Sequence, residues 1–568
     1  MRPLLRLAAL SVLLLNACYP AGDGKPPPLE QLYFPTGLAV DGFSEQLAQG
    51  TAPKYLYVVN SDFDLQYRSA SLISYDLEKL HQVVPQFCRT SADCKDGKLC
   101  DEPDEAISLQ YDASHVPSYY CVDPSFPEPC GTVVGPRDDA DLVLHPGRCE
   151  SVDPLDPNRN LLVDMVGIGA FATDVVWREN PDHASARLFV PVRGDSTLHW
   201  IDVDSDGKLH CGQNESEDDD GCNSLHRAGD PVDGTNYALT QPSEPYAVDA
   251  TADGEFIAIT NQTSSSVSLF HNDWTAPDGP ELVSILGSLP FGPVAIAALP
   301  EPKFVDEETK QAPGFLVAYR TAPQVDLLRV RSDPAQTDPA SAASNYDRFA
   351  LRRAGSVPIS ANSLGFDSRG IAIDDTLRQA DYEACYSSGE CSGADPDPNP
   401  TQCQACLRAV HQPSVYVASR APSSLLVGAM TTDIGYPSGT SELPSFTDSI
   451  ALTFGPSRVI VGDVKVPGTS SSPSDDAGPY EFERRIFVVC FDSRRIFVYD
   501  PKRRAIDAIV STGRGPYALA VDRVRSLAYL GHFTDSYLGV ISLDQRFPQT
   551  YATIVASIGA PKAPRSSK

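Results

Sequence analysis

The segment AVDATADGEFIAITNQTSSSVSLFH (residues 247–271) contains three short apolar stretches separated by two polar turns. Apolar stretches of this length between turns are typical of antiparallel strands. Two or three such strands do not form a stable sheet alone in water. To predict the fold, we therefore ask whether related segments recur along the chain.

Seven segments share the first stretch, in which a small or turn-forming residue is followed by a short apolar strand. They are FPTGLAVD (34–41), GAFATDVVW (169–177), SEPYAVDAT (243–251), FGPVAIAAL (291–299), SRGIAIDD (368–375), FGPSRVIVGD (454–463) and RGPYALAVD (514–522). A second strand is predicted at 55–60, 188–193, 256–261, 315–320, 415–420, 486–491 and 527–532. A third is predicted at 71–77, 197–203, 266–271, 324–330, 424–430, 495–500 and 537–543, and a last fourth strand within 550–559. Seven copies of a four-stranded unit predict an all-β, seven-bladed β-propeller.

The repeat also resembles a known family. Pro or Gly before Ala-Val-Asp, a strand that ends in Asn, and a following Val-rich strand are similar to the YVTN-type β-propeller repeats, over most of residues 34–560. The resemblance implies the propeller fold, with a domain at residues 33–565. Such propellers include binding proteins and a few enzymes, so the family does not fix the function.

The N-terminal sequence MRPLLRLAALSVLLLNAC predicts export. Arg2 and Arg6 precede an apolar run at 7–15 that is too short for a permanent transmembrane helix. Residues 15–18 (LNAC) resemble the lipobox of bacterial lipoproteins, which implies cleavage before Cys18 and lipid attachment to its sulfur. The alternative is an ordinary signal peptide with an incidental cysteine.

A lipoprotein signal divides the N-terminal region into a signal peptide at 1–17 and a flexible tether at 18–32. It places the protein in the cell envelope, anchored to a membrane, and by family analogy Tyr19 after the cysteine favours the outer membrane. The formal net charge of −30 argues against nucleic acid as a partner, because phosphates would be repelled. The expected partner is an envelope protein or a glycan.

Fourteen cysteines agree with an oxidising compartment. Cys18 is the predicted lipidation site, and Cys490 lies in an apolar strand as a buried thiol. The remaining twelve form three local groups that are predicted to be disulfide-bonded: Cys88, Cys94, Cys100, Cys121, Cys130 and Cys149; Cys211 and Cys222; Cys385, Cys391, Cys403 and Cys406. Six cysteines allow fifteen pairings, so the sequence does not show which cysteines of the first group bond to each other. In the third group, a zinc site is the alternative to two disulfides.

The long insertions fall on two kinds of connection. In a blade whose strands A to D run outward from the axis, the A–B and C–D connections open on one face and the B–C and D–A connections on the other, called the top face. Insertions between A and B occupy 300–313, 376–412 and 464–483, and those between C and D occupy 81–159, 207–235, 331–347 and 431–447. The sequence therefore predicts disulfide-rich insertions on one face. The insertion at 81–159 also resembles short cysteine-rich modules in lipoproteins of myxobacteria.

One segment is a candidate calcium loop. Asp202, Asp204 and Asp206 precede Gly207 at the spacing of a calcium-binding loop, but the twelfth position is Gln213 instead of a bidentate Glu. Asp-Gly is also an ordinary hairpin turn between two strands. No cofactor other than this calcium is expected.

The ends of strand B and the turns before strand A place several basic and polar residues on the top face. They are Asn60, Arg193, Asn261, Arg320, Arg369, Arg420, Arg514 and His532. Guanidinium groups bind carboxylates and phosphates well, so these residues form a candidate funnel for an anionic ligand. In the alternative, they cap hairpin turns and pair with Asp41, Asp249, Asp374 and Asp522. A second basic run, at 484–504, is interpreted as solvent-facing strand charges.

The predicted function is a cell-envelope lipoprotein whose propeller acts as a binding or scaffolding module for a protein, a glycan or an anionic ligand. The alternative is an exported propeller enzyme, either a lactonase-like hydrolase or a quinoprotein-like dehydrogenase. A purely structural envelope protein is a third hypothesis. No catalytic motif identifies a catalytic residue.

Overall fold

The computed structural model describes the following residues: 25–42, 50–84, 87–88, 91, 94, 99–101, 119–122, 151–182, 185–212, 221–222, 224–230, 239–276, 279–300, 312–332, 349–359, 366–391, 400–430, 443–475, 478–548 and 550–560. The predicted site residue Cys18 lies outside these ranges, as do the predicted signal peptide and the first part of the tether.

Seven antiparallel sheets form the blades, which confirms the predicted seven-bladed β-propeller. Strand A spans Pro35–Val40, Val176–Glu179, Pro245–Ala250, Pro293–Ala298, Phe366–Asp374, Pro456–Pro467 and Pro516–Asp522 in blades 1 to 7. Strand B spans Tyr55–Asn60, Ala186–Val192, Phe256–Asn261, Gly314–Tyr319, Ser414–Ala421, Gly478–Cys490 and Leu527–His532. Strand C spans Ala70–Asp76, Thr197–Val203, Ser266–His271, Gln324–Ser332, Ser423–Met430, Arg495–Asp500 and Tyr537–Ser542.

Strand D is the outermost strand of each blade. It spans Leu162–Ile168 in blade 1 and Glu281–Leu286, Phe349–Pro358, Pro444–Ala451, Ala505–Ser511 and Ile554–Ile558 in blades 3 to 7. In blade 2 it is split into Leu209–His210 and Arg227–Ala228, which pair with opposite ends of strand C. The last fourth strand, predicted within 550–559, is confirmed as Ile554–Ile558 of blade 7.

Apolar side chains between neighbouring sheets form the core. Between blades 7 and 1, for example, Leu38, Val58, Tyr529 and Leu538 are almost completely buried in one cluster. Each of these residues comes from a strand that alone would expose its apolar face to water. Stacking of blade on blade removes that surface from water, and the ring leaves no blade without a neighbour.

The ring is closed by a strand from within an insertion. Ser151–Val152, at the end of the C–D insertion of blade 1, pairs in parallel with Ile554–Ile558 on the outer edge of blade 7. The Gly559 amide donates to the Val152 carbonyl at 2.9 Å. The Phe34 amide also donates to the Ser536 hydroxyl of blade 7 at 3.1 Å.

The insertions carry their own secondary structure. Helix α1 (Leu77–Val83) and a small sheet of Phe87–Cys88, Leu99–Asp101 and Tyr119–Val122 follow strand C of blade 1. Helices α2 (Thr376–Ser387) and α3 (Pro400–Ala409) fill the A–B connection of blade 5. The predicted insertion at 464–483 is instead largely a hairpin, in which strands A and B of blade 6 continue and Ser474–Asp475 pairs with strand B.

Three disulfides join pairs of cysteines that both belong to the described part of the chain. They confirm the prediction for the second and third cysteine groups. Cys211 bonds to Cys222, Cys385 to Cys406, and Cys391 to Cys403. Cys94 and Cys100 are also disulfide-bonded. Cys130, Cys149 and the side chains of Cys88 and Cys121 lie outside the described part of the chain.

The two disulfides of the third group remove the zinc alternative, because their four sulfurs are bonded in pairs. Cys490 is a buried free cysteine, as predicted. Burial raises the pKa of its thiol to about 12. The thiol therefore stays protonated and unreactive at neutral pH.

Candidate ligand-binding site

A residue with left-handed backbone lies before or at the start of strand A in every blade. The residues with positive φ at this position are Phe34 (49°), Phe171 (58°), Glu244 (58°), Gly292 (75°), Asp367 (63°), Gly455 (78°) and Gly515 (67°). The carbonyl of this residue accepts the amide that follows strand B, as in Arg320 to Gly292 and Phe533 to Gly515, both at 2.7 Å. This repeated hydrogen bond joins strands A and B at their top-face ends. It thereby fixes the position of the side chains at these ends.

The predicted top-face arginines are paired with acids of the same face. Arg193 contacts Glu244 at 2.8 Å, and Arg514 contacts Asp535 at 2.9 Å. These pairs lie close to the turns before strand A. The acidic partners reduce the positive charge that the sequence led us to expect there.

Two further predicted arginines share one acid. Arg369 binds Asp367 through its guanidinium group, and Arg320 lies 3.9 Å from the same carboxylate with 46% of its side chain exposed. Arg420 lies 3.5 Å from Asp492 and donates to the Pro456 carbonyl. Arg320 is thus the most weakly paired of these residues and the most open to a ligand.

The remaining predicted residues, Asn60, Asn261 and His532, are fully buried. Asn261 donates to the hydroxyls of Ser266 and Ser268, so it holds the turn between strands B and C. Asn60 accepts the Tyr33 amide, and His532 stacks on Tyr537 at 4.0 Å. These three residues therefore stabilise the top face from the interior and are not accessible to a ligand.

The alternative partners proposed from the sequence are wrong. Asp41, Asp249, Asp374 and Asp522 lie at the far end of strand A, on the opposite face. There Asp249 pairs with Arg178 at 2.7 Å, and Asp522 pairs with Arg525 at 2.9 Å. The reason is geometric, because strand A carries its turn-forming residue and its acid at opposite ends.

A partly buried ion pair joins blade 6 to the segment before strand A of blade 2. Arg458, in strand A of blade 6, donates to Asp174 before strand A of blade 2 at 2.8 Å. Burial raises the pKa of Asp174 above its usual value, although Arg458 acts in the opposite direction. Burial would lower the pKa of Arg458, but the attraction of Asp174 and Tyr517 outweighs it, so Arg458 stays charged.

Two tyrosines and a second arginine complete this group. The hydroxyls of Tyr246 and Tyr517 lie 3.2 Å apart, from blades 3 and 7, and the Arg458 guanidinium lies 4.8 Å from the centre of the Tyr517 ring. Burial would lower the pKa of the Arg369 guanidinium, but Asp367 and Tyr246 outweigh this effect and raise that pKa. We call Asp174, Tyr246, Arg369, Arg458 and Tyr517 the axial cluster. Arg458 keeps 21% of its side chain exposed although it lies inside the ring, so solvent reaches this cluster.

An aromatic cluster adjoins the axial cluster at the top face and shares Tyr517 with it. Phe63 packs edge-on against Phe171 and Phe533, with ring centres 5.8 and 5.2 Å apart. Phe533 in turn lies 5.2 Å from Phe34 and 6.2 Å from Tyr517. The aromatic cluster comprises Phe34, Phe63, Phe171, Phe491, Tyr517 and Phe533. Phe63 remains 51% exposed, so the cluster presents an open apolar wall.

A signal in the sequence could have identified part of this wall. Phenylalanine recurs just before strand A, at Phe34, Phe171, Phe291 and Phe454, where a charged or small residue would also fit. The ion pair between Arg458 and Asp174 had no such signal, because its two residues are 284 positions apart.

The candidate calcium segment forms the turn between Val203 and Leu209. Asp204 accepts the amides of Asp206 and Lys208 at 2.9 and 3.0 Å, and Gly207 has a φ of 74°. Asp202 instead pairs with Arg187 at 2.8 Å. Asp204 therefore acts as a turn-stabilising acceptor, and calcium binding stays a prediction.

Among the described residues, one group has metal-ligating atoms within 4.8 Å of one another. It consists of Cys385, Glu390 and Cys406, and its two cysteines are joined in a disulfide. None of the helices in the described ranges combines the length and the hydrophobicity of a transmembrane helix.

Comparisons with known proteins give only distant similarity. No protein-family model matches the chain. No curated protein sequence matches it either. A putative 6-phosphogluconolactonase from Bacteroides uniformis has 10% identity, covers 85% of this chain and 86% of its own, and has a TM-score of 0.39.

Two other solved structures are similarly distant. The periplasmic gluconolactonase of Pseudomonas aeruginosa has 13% identity and a TM-score of 0.37, covering 70% of this chain and 89% of its own. Virginiamycin B lyase from Staphylococcus aureus has 8% identity and a TM-score of 0.35, covering 89% and 94%. These values are too low to transfer an activity to this chain.

Proposed function

We propose that this chain is a lipid-anchored protein of the bacterial cell envelope, in the outer membrane, whose propeller binds a ligand at the centre of the top face. The ligand carries an apolar ring and an anionic group. A small metabolite, a glycan and a segment of an envelope protein are the sources of such a group. No catalytic step is part of this proposal.

One observation carries the proposal, namely that Tyr517 belongs to both clusters of the top face. Its ring packs against the aromatic cluster, and its hydroxyl meets Tyr246 in the axial cluster. An apolar ring would stack on Phe63 and Phe533, while an anionic group would reach Arg320 and Arg369. In this proposal an aromatic mouth with arginines beside it replaces the predicted basic funnel.

Titration of the full chain with anilinonaphthalene sulfonate tests this function, because the probe combines aromatic rings with a sulfonate. We expect saturable binding to the native protein, weakened about tenfold by Arg320→Gln, since a hydrogen bond to a charged group is lost. Arg331→Gln, an exposed change at the other end of the same blade, is the matched control. Equal affinities of both variants and the unsubstituted chain would contradict the site.

A hydrolase is the second candidate, and Asp174 is the observation that favours it. Burial raises the pKa of this carboxyl group, and two tyrosine hydroxyls lie in the same cluster. Such groups can exchange protons with a cyclic ester and with water. Acid release from sugar lactones, lost in Asp174→Asn but kept in Asp182→Asn, would support hydrolysis. No acid release above the buffer rate would remove this candidate.

The anchor is tested separately by intact-mass analysis of protein extracted from membranes. We expect a mature chain that begins at Cys18 and carries the mass of attached lipid. Cys18→Ala should abolish both processing and lipid attachment, whereas Cys490→Ala should leave them intact. An unmodified chain starting elsewhere would overturn the lipoprotein assignment while leaving the ligand site untouched.

A further inference from the structure

The first described residues lie at the top face. Lys25 forms a parallel bridge with Tyr67, and its carbonyl accepts the Arg68 amide at 3.0 Å. Tyr67 and Arg68 belong to the B–C connection of blade 1, which opens on that face. The seven residue steps from Cys18 to Lys25 reach at most about 24 Å when fully extended. A lipid anchor at Cys18 would therefore hold the top face close to the membrane surface.

The same face exposes large apolar side chains outside the mouth. Leu65, Phe291 and Phe454 are 60%, 52% and 78% exposed, and they come from blades 1, 4 and 6. We call these three residues the apolar rim. They are spread around the ring, so they fit a flat surface better than a single groove. Exposed side chains of this size cost free energy in water unless they are covered.

Charge is also distributed unevenly. The exposed charged residues in the described part of the top face are five basic ones and three acidic ones: Lys25, Arg68, Arg320, Arg494 and Arg495; Glu30, Asp64 and Asp492. The whole chain has 45 basic and 75 acidic residues. The excess of basic residues on this face therefore reverses the charge balance of the protein and is complementary to an anionic surface.

We propose that the top face docks on a bilayer that contains anionic phospholipid. The apolar rim enters the boundary between headgroups and acyl chains, and the basic residues contact lipid phosphates. This inference rests on the proposed lipid anchor. It also directs the ligand-binding mouth toward the membrane, so the ligand is one presented at the bilayer surface.

Tryptophan quenching in vesicles tests the docking. Full-length protein carrying Phe454→Trp is reconstituted in vesicles of phosphatidylcholine and phosphatidylglycerol, with and without brominated acyl chains. We expect the added emission to fall by about half with brominated lipid, because the indole reaches the acyl boundary. Leu377→Trp, at a 56% exposed position on the helical insertion of the other face, is the matched control.

Loss of emission in Phe454→Trp alone supports the proposal. Equal quenching of both variants, quenching of neither, or failure of the protein to float with the vesicles would each overturn it. The three native tryptophans are common to all variants, so their emission cancels in the comparison.

Charge reversal gives a second test within one blade. Arg494→Glu with Arg495→Glu, placed in the Phe454→Trp background, should remove the dependence of quenching on phosphatidylglycerol. Lys502→Glu with Arg503→Glu reverses two charges at the opposite end of the same strand C and should leave that dependence intact. Identical behaviour of the two pairs would argue against docking through this face.

Binding of anilinonaphthalene sulfonate to the same variants separates this inference from the proposed function. Docking can fail while probe binding persists, in which case the mouth stands and its orientation is wrong. Probe binding can fail while quenching persists, in which case the face docks on lipid without a ligand site.

Discussion

At the scale of single residues, the least expected feature is the burial of Arg485. The basic run at 484–504 was interpreted as solvent-facing, yet Arg485 has no exposed surface. Its guanidinium contacts Glu483 at 3.0 Å, Asp500 at 3.2 Å and Asp507 at 3.0 Å. Alternation along a strand predicts which residues share a face, but it does not reveal whether a face is covered.

Removal of this guanidinium should strongly destabilise blade 6. Arg485→Met is expected to lower the free energy of unfolding by about 3–5 kcal/mol, because it removes the buried cation that three carboxylates share. Chemical denaturation of the variant measures the loss. Arg331→Met, at an exposed position, is the control and should change stability by less than about 0.5 kcal/mol. A similar small change in both variants would mean that water replaces the guanidinium.

Asp41 gives a prediction about pH. Burial raises its pKa to about 6, against a usual value near 4, although the Tyr55 amide donates to it at 2.7 Å. The folded state therefore holds a proton between about pH 4 and 6 that the unfolded state has lost. The contribution of Asp41 to stability falls as the pH rises through this window.

Asp41→Asn should remove that contribution, since the amide keeps an oxygen for the Tyr55 amide and carries no charge. We expect the variant to be more stable than the parent by about 2–3 kcal/mol at pH 8, with the difference vanishing near pH 4. Unfolding measured across this range compares the two chains. A difference that stays constant with pH would show that Asp41 titrates normally when folded.

At the scale of elements, the sequence predicted the inner strands well. The predicted second strands at 55–60, 256–261 and 527–532 match strand B of blades 1, 3 and 7 in both bounds. These strands are buried on both faces, so their sequence is a continuous apolar run bounded by turns. Outer strands were harder to predict because one edge meets solvent, which relaxes the pattern, and strand D of blade 2 is split.

The residues of the candidate site also fall into some that the sequence predicted and some that it did not. Arg320 and Arg369 were placed on the top face from the repeat alone, because each has a fixed position relative to strands A and B. Tyr246 and Tyr517 were overlooked, since a tyrosine in strand A resembles any other apolar residue of a repeat. Their contact joins blades 3 and 7, and only the closed ring brings such distant residues together.

The helical insertion is expected to behave as a separate element. Tyr382, Cys385, Cys391, Cys403 and Val410 form their own buried cluster, apart from the cores between blades. Its two disulfides close short loops, each of which restricts the unfolded chain by about 3 kcal/mol. Cys385→Ala with Cys406→Ala should therefore loosen the insertion without opening the propeller.

Limited proteolysis with mass analysis measures this effect. We expect new cleavage sites within 376–412 and no new sites in strands A to C of any blade. Cys490→Ala, a change at the buried free thiol, is the control and should not expose the insertion. Cleavage throughout blade 5 would show instead that the insertion supports the sheet.

At the scale of the whole molecule, the short strand Ser151–Val152 joins the first blade to the last one. Val152 is 3% exposed and packs in the cluster that also holds Leu38, Val555 and Ile558. A charged side chain here would be buried without a partner. Val152→Asp should lower the melting temperature by about 3 °C, since burial of an unpaired carboxylate costs several kcal/mol and a chain of this length loses roughly 1 °C per kcal/mol.

Leu225→Asp, at a 60% exposed position in the C–D connection of blade 2, is the matched control. It should leave the melting temperature nearly unchanged. Calorimetry of both variants makes the comparison. Equal melting temperatures would show that closure depends on the inner strands of blades 1 and 7 rather than on the added strand.

The strand Ser151–Val152 also has a consequence for the order in which the chain acquires its structure. It belongs to the first blade but completes the last one, and Phe34 and Ser536, which bond across the same seam, are 502 positions apart. Contacts so distant in sequence form late, because a long stretch of chain must first be brought together. During synthesis, the strand Ser151–Val152 would remain unpaired, and the face of blade 1 that packs on blade 7 would remain uncovered, until the carboxyl-terminal blade arrives. Folding of this protein is therefore expected to depend on protection of that strand and that face until synthesis is complete.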